Sequence, residues 1–171
     1  RILAAAVDLD VIAVVSKNNN GVIRVQSEGY PQDTVDLRQL TPDEKERYTS
    51  AALIRGVSAR LKELGYNIGG FDAYTTSNVL KGSGLSSSAA FEVLIVSILN
   101  HLYNNGTVND VLNAQIAQYA ENNFFGKPCG LMDQTTCAVG GFVTIDFNDF
   151  SNPAVKKVDY DFASSGYTMV I

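Results

Sequence analysis

The residues LKGSGLSSSAAFEVLIV, Leu80 to Val96, constrain the fold more than any other stretch of the chain. Two glycines bracket a serine, three serines follow, and an apolar run begins without a break. Phe91, Leu94, Ile95, Ile98, Leu99 and Leu102 keep the spacing of a buried helix face. Glycines ahead of such a helix let the backbone approach a ligand closely, and the first helical N–H groups have no partner inside the helix. With the helix dipole they form an anion site. Two known phosphate loops do not fit. No lysine follows the glycines as G-x-x-x-x-G-K-S/T requires, and Ser87 stands where G-x-G-x-x-G needs its third glycine. Spacing alone admits both a phosphate cradle and a serine-rich helix cap without a ligand.

The rest of the chain narrows the class. Its 171 residues are 46% hydrophobic and 18% charged, which suits one domain with a sizeable core. A net charge of −5 with no lysine or arginine cluster argues against a nucleic-acid partner. Cys129 and Cys137 are too few for a disulfide framework and lack zinc-ligand spacing, so reduced thiols in a cytoplasmic protein are expected. There is no signal peptide and no apolar run long enough for a bilayer, so no membrane partner is expected. The sole histidine, His101, falls in a helical pattern and reads as structural. The chain opens on RILAAAVDLDVIAVV and stops at YTMVI, both strand-like. Residues 1–171 are therefore expected to be a single partial domain, truncated at both ends, with about 154–171 leading toward a further domain.

VIAVVS and VIRVQS flank KNNNG, which predicts a hairpin. Residues 29–40 read as loop. Thr41 as N-cap, Pro42 in the first turn and Glu44 as a T-x-x-E capping box predict a long helix ending at Gly65, with Tyr48, Ala52, Val57, Leu61 and Leu64 on its face. A strand alternates around Phe71, Ala73 and Thr75, and a helix starting at Thr107 and Asp110 runs to about Asn123. FFGKPCGLMDQTTCAVGG reads as a turn, a short helix and a double-glycine exit. FVTIDF is a strand, and two further strands follow it. Strands mixed with long helices, without regular alternation, predict an α+β sandwich.

GSGLSSSAAFE resembles the central motif of the GHMP kinases, whose core reads G-L-G/S-S-S-A. The triple serine is similar to the galactokinase branch of that family, as is AENNFFGKPCGLMDQ downstream. The opening RILAAAVDLDVIAVV looks like the strand after that branch's sugar-recognition motif, so the resemblance runs along the whole chain in family order. One departure is local: Leu80 or Lys81 stands where the branch usually has a proline. The family's first motif, with its catalytic arginine, would lie before Arg1, and its third after Ile171.

The resemblance implies the family's N-terminal domain, a mixed or antiparallel sheet packed with helices (ribosomal protein S5 domain 2-like). It implies ATP-dependent phosphorylation of galactose at the anomeric hydroxyl, with Mg2+ as cofactor. Gly82, Ser83, Gly84, Leu85, Ser86, Ser87 and Ser88 would wrap the ATP phosphates. Ser88 and Glu121 would share the magnesium ion. Asp133 would face the anomeric hydroxyl as the catalytic carboxylate, and Cys129 and Gly130 would contact the sugar. Each has a plainer reading: Glu121 as a solvated acid near a helix end, Asp133 as a first-turn acid favoured by the dipole, Cys137 as core filling. A kinase for a related sugar such as N-acetylgalactosamine, or a non-catalytic galactose and ATP sensor, are the alternatives. The segment by itself is expected to turn over no sugar.

Overall fold

The structure, a computed structural model, describes residues 1–79, 84–149, 151–162 and 164–167. The strands are β1 (Ile2–Ala5), β2 (Val11–Lys17), β3 (Val22–Ser27), β4 (Asp33–Asp36), β5 (Phe71–Ser77), β6 (Phe142–Asp146) and β7 (Ala154–Lys157). The helices are α1 (Ser50–Glu63), α2 (Ser87–Tyr103), α3 (Asp110–Ala120) and α4 (Met132–Val139). A 3-10 turn, Glu44–Glu46, precedes α1, and a π-turn, Glu121–Phe125, continues α3. The expected α+β fold is present as two sheets with helices packed against them.

One sheet is antiparallel in the order β1-β6-β7. The other runs β2-β5-β3-β4, antiparallel except for the parallel pair β3 and β5. Residues 11–16 and 22–27 therefore do not form the expected hairpin, because β5 lies between them. Gly70 makes the insertion possible. Its carbonyl accepts from the Asn18 N–H at 3.0 Å, and a Cβ there would meet Asn18 and lie 2.8 Å from the Val22 carbonyl oxygen. Only a residue without a side chain can pass under that turn. The opening run is likewise two strands in two sheets, and residues 29–40 contain β4.

The core lies between the four-stranded sheet and the helices. Ile23, Val25, Val35 and Phe71 point inward from the sheet and meet Ile54, Val57 and Leu61 of α1. Ile95, Val96 and Leu99 of α2 and Ile116 of α3 complete it. Fully burying each such side chain stabilises the fold by roughly 1.5–3 kcal/mol. In the middle of α2 the sequence is apolar on almost every side, which suits a helix enclosed by its neighbours. Among the described residues no helix is long and apolar enough to cross a membrane.

The first long helix begins later than its capping box predicts. Asp43, not Thr41, caps the 3-10 turn by accepting from Lys45 N–H at 2.9 Å, and Thr49 caps α1. The break falls at Tyr48, whose φ is +64° and whose N–H donates to the Phe125 carbonyl at 3.1 Å. That tertiary bond, with the Tyr48 ring edge-on to Phe125, outweighs the local helix signal. At α3 the cap is Asn109, which accepts from Leu112 N–H at 2.9 Å, while Thr107 donates to Asn104 instead. Beyond β6, β7 is present, and the second strand expected there falls partly on residues outside the described ones.

Candidate active site

α2 opens with an unusual cap. Ser86 is left-handed at φ +57° and makes no side-chain bond to the helix N–H groups behind it. Its hydroxyl donates to Asp133 Oδ2 at 2.6 Å instead. A non-glycine residue held at positive φ costs of order 1–3 kcal/mol, and such strain concentrates at functional positions. The N-cap serine has thus been turned away from the helix it starts, leaving the first-turn N–H groups of α2 without a side-chain cap. Two residues on, the Ser88 hydroxyl donates to Glu121 Oε1 at 2.9 Å. The Ser86–Asp133 pair, which the sequence did not foretell, and the Ser88–Glu121 pair stand side by side at the mouth of one helix.

Glu121 is not the solvated acid of the plainer reading. It is 2% exposed, at the junction where α3 passes into the π-turn. π-turns of this kind are frequent at functional sites. α1 crosses there closely enough that a Cβ on Gly56 would come within 2.8 Å of Ala120, the residue before Glu121. The carboxylate receives Gln134 Nε2 on Oε2 at 2.7 Å and has Lys127 Nζ 3.4 Å from Oε1. Behind Gln134 lies Glu92, wholly buried on α2, where burial and then the nearby Glu121 charge push its carboxyl up to about 9. It is therefore neutral at pH 7.

Asp133 is the second residue of α4, as the short-helix reading of CGLMDQ requires. It lines an open cleft of about 750 Å3 together with Gly84, Leu85, Ser86, β1 and Cys137. Cys137 is thus a cleft residue and not core filling. Burial pushes its thiol up to about 11 and that of Cys129 to about 12. Both cysteines are free. The Cys129 N–H donates to Asn122 Oδ1 at 2.7 Å and its carbonyl accepts from Gln118 and Asn122, so its backbone is engaged, whereas Gly130 has open space on its Cβ side. A second cleft, about 410 Å3, opens on the other side of the α2 start. Ser87 and Ser88 reach it beside Tyr30, Tyr48, Phe91 and Phe125. Gly82 and Ser83 lie outside the described residues.

The site also contains residues that the sequence reading left out. Gln134 was passed over beside Asp133. Glu92 carries a signal in retrospect, since a lone acid inside an apolar helix run is expensive without a purpose. His101 is exposed, with Nδ1 2.8 Å from the Ser97 carbonyl oxygen, in keeping with a structural reading.

Residues 52–141 match the family model of the GHMP kinases N terminal domain. The chain is 34% identical to a galactokinase of Streptomyces coelicolor over 99% of its own length and 44% of the relative's. It is 34% identical to a galactokinase of Pyrococcus furiosus over 86% of this chain and 40% of the other. It thus spans less than half the length of these relatives. Its fold superimposes on galactokinase of Lactococcus lactis, solved with galactose, at a TM-score of 0.80 and 23% identity, covering 92% of this chain and 41% of that one. Mevalonate kinase of Methanococcus jannaschii gives 0.69 at 16% identity, over 91% and 49%. With more than half of its residues inside the matched domain and the serine-rich motif at the head of its central helix, this chain belongs to the GHMP kinases and carries their N-terminal domain.

Proposed function

We propose that the full-length protein transfers the γ-phosphoryl group of ATP to the anomeric hydroxyl of galactose, giving galactose 1-phosphate and ADP. The observation that carries this reading is the pairing of Ser86 with Asp133 and of Ser88 with Glu121, two residues apart, between two clefts. One cleft exposes a carboxylate to a substrate hydroxyl. The other pairs aromatic rings with hydroxyls, which suits a nucleobase and the phosphates that follow it. The galactokinase relatives supply the choice of sugar. Use of ATP, together with free thiols, favours a cytoplasmic location.

In this reading Asp133 accepts a hydrogen bond from the anomeric hydroxyl and takes its proton as the oxygen attacks the γ-phosphorus. The bond from that phosphorus to the β-γ bridging oxygen breaks, and ADP leaves. Phosphoryl transfer asks the protein mainly for alignment and charge neutralisation, and the turned-out cap leaves the first N–H groups of α2 without a side-chain cap. Gly130, with its open side, is better placed than the engaged Cys129 backbone to approach the sugar.

Magnesium fits the residues present. A hydroxyl and a buried carboxylate are the hard oxygen donors it prefers, and the Lys127 ammonium already marks Glu121 Oε1 as a place for positive charge. Ser88 and Glu121 would hold the ion, and it would supply charge neutralisation at the phosphates.

Asp133→Asn in the full-length protein tests the assignment. It keeps the side chain's shape and removes its capacity to take the proton. The expected result is a fall in kcat of at least about 10²-fold, with ATP affinity by calorimetry little changed. Near-normal turnover would reject Asp133 as the base. Loss of ATP binding would move it to the nucleotide site.

A further inference from the structure

Gln134 follows Asp133 on α4, and successive helical residues point about 100° apart. Asp133 therefore turns to the larger cleft while Gln134 turns into the wedge between α2, α3 and α4. The amide is 1% exposed. Its Nε2 donates to Glu121 Oε2 at 2.7 Å and to Glu92 Oε2 at 3.3 Å, with Cys129 Sγ 3.5 Å away. Glu121 thus has one oxygen tied at the back. Its other oxygen, Oε1, is the one that meets Ser88 and Lys127. Glu92 stands one helical turn after Ser88 on α2, so the same helix supplies the front partner of Glu121 and the rear support of Gln134.

This arrangement is costly. Gln134 Oε1 and Glu92 Oε1 are buried without a hydrogen-bond partner. Unpaired buried polar atoms each cost about 1–3 kcal/mol, and apolar residues of similar size would fill the same space without that penalty. The orientation of the amide explains which atoms are left over. Both N–H hydrogens face carboxyl groups, and the reverse orientation would set the amide oxygen against the Glu121 carboxylate.

We propose that Gln134, held from behind by Glu92, is a positioning residue that fixes the Glu121 carboxylate and so selects which of its oxygens meets the cation–nucleotide complex. The inference rests on the kinase reading above. One turn of α4 then serves both halves of the reaction, with Asp133 toward the sugar and Gln134 toward the cation's carboxylate. No contact between Gln134 and either substrate is needed.

The test uses the full-length protein with Gln134→Met, which keeps length and volume but has no donor, and Gln134→Asn, whose amide stops one methylene short. The probe is Mn2+, followed by electron paramagnetic resonance in the presence of a non-hydrolysable ATP analogue. Both variants should bind Mn2+ about 10–100-fold more weakly, as supporting partners of metal ligands do. Both should need correspondingly more Mg2+ for turnover, with the sugar KM close to the parent's. Glu121→Gln is measured alongside. If it loses Mn2+ while the Gln134 variants bind normally, the positioning role is wrong and the kinase reading stands. If Glu121→Gln also binds normally, the cation site falls and this inference with it. A sugar KM that worsens in step with Mn2+ affinity marks Gln134 as a residue of the fold and overturns the proposal. Should the Met variant fail to fold, the Asn variant decides.

Discussion

The sheet side of the molecule and the helical wedge treat acidic residues in opposite ways. On the sheet side Asp72 meets Arg24 at 3.0 Å and Asp36 meets Arg38 at 2.6 Å. Asp72 and Asp36 are held below the ordinary carboxylate range by side-chain hydrogen bonds, from Asn18 and Arg24 to the first and from Arg38 to the second. Exposed pairs of this kind add little to stability. In the wedge, Glu92 and Glu121 are 0% and 2% exposed, and one amide stands between them. Burying a charge costs several kcal/mol unless it is compensated. The contrast separates acids paired with arginines near the surface from acids kept inside around a shared amide.

The sharpest attack on that contrast is a double-mutant cycle on Ser88 and Glu121. Ser88→Ala and Glu121→Gln should each lower kcat/KM about 10–100-fold in the full-length protein. If both residues act on one ion, as proposed, the double variant should be little worse than the poorer single. Simple additivity, or no loss in either, would mean the wedge acids are not a working unit.

A second measurement asks whether the wedge depends on its close crossing with α1. Gly56→Ala places a methyl 2.8 Å from the Ala120 backbone and 3.0 Å from Phe124. Overpacking there should cost about 1–3 kcal/mol in urea unfolding. A neutral result would mean that α3 can retreat freely and that Glu121 is not held by this contact.

A third measurement concerns pH. The folded protein holds the Glu92 proton more tightly than the unfolded chain does, because the carboxyl rises from 4.5 to about 9 on burial. That contribution is complete below the unfolded value and is lost progressively as pH climbs toward the folded one. Glu92→Gln removes the loss. Its Tm should exceed the parent's at about pH 8, and the gap should close toward about pH 5. A gap that is constant across this range would show that Glu92 does not titrate differently in the two states.

Elements that answer to their own sequence were legible. α2, β5, β6 and α4 follow from periodicity and glycine punctuation, and Asp133 falls where the short-helix reading puts it. The failures came where distant residues decide. Asn-Gly between two β-branched runs is a strong local hairpin signal, yet the partner strand arrives some fifty residues later and passes between them at Gly70. The T-x-x-E box lost to one hydrogen bond from Tyr48 N–H to the Phe125 carbonyl. At the site, Asp133, Ser88 and Glu121 came from the family motif and not from spacing. Gln134 and Glu92 went unseen because their roles depend on facing each other across forty-two positions of chain.

The π-turn Glu121–Phe125 imposes a rule on length. The Glu121 carbonyl closes it by accepting from Gly126 and Lys127 N–H, at 3.0 and 3.3 Å. Lys127 is thereby returned to the side chain of the residue that anchors its own backbone. One residue is about 100° of helical rotation. Deleting any position from 122 to 125 would tighten the turn to an ordinary helix and swing the cation and the Cys129–Gly130 bend out of alignment with α4. The count of residues in this segment is therefore fixed apart from the identity of its side chains, and insertions and deletions should be absent from it.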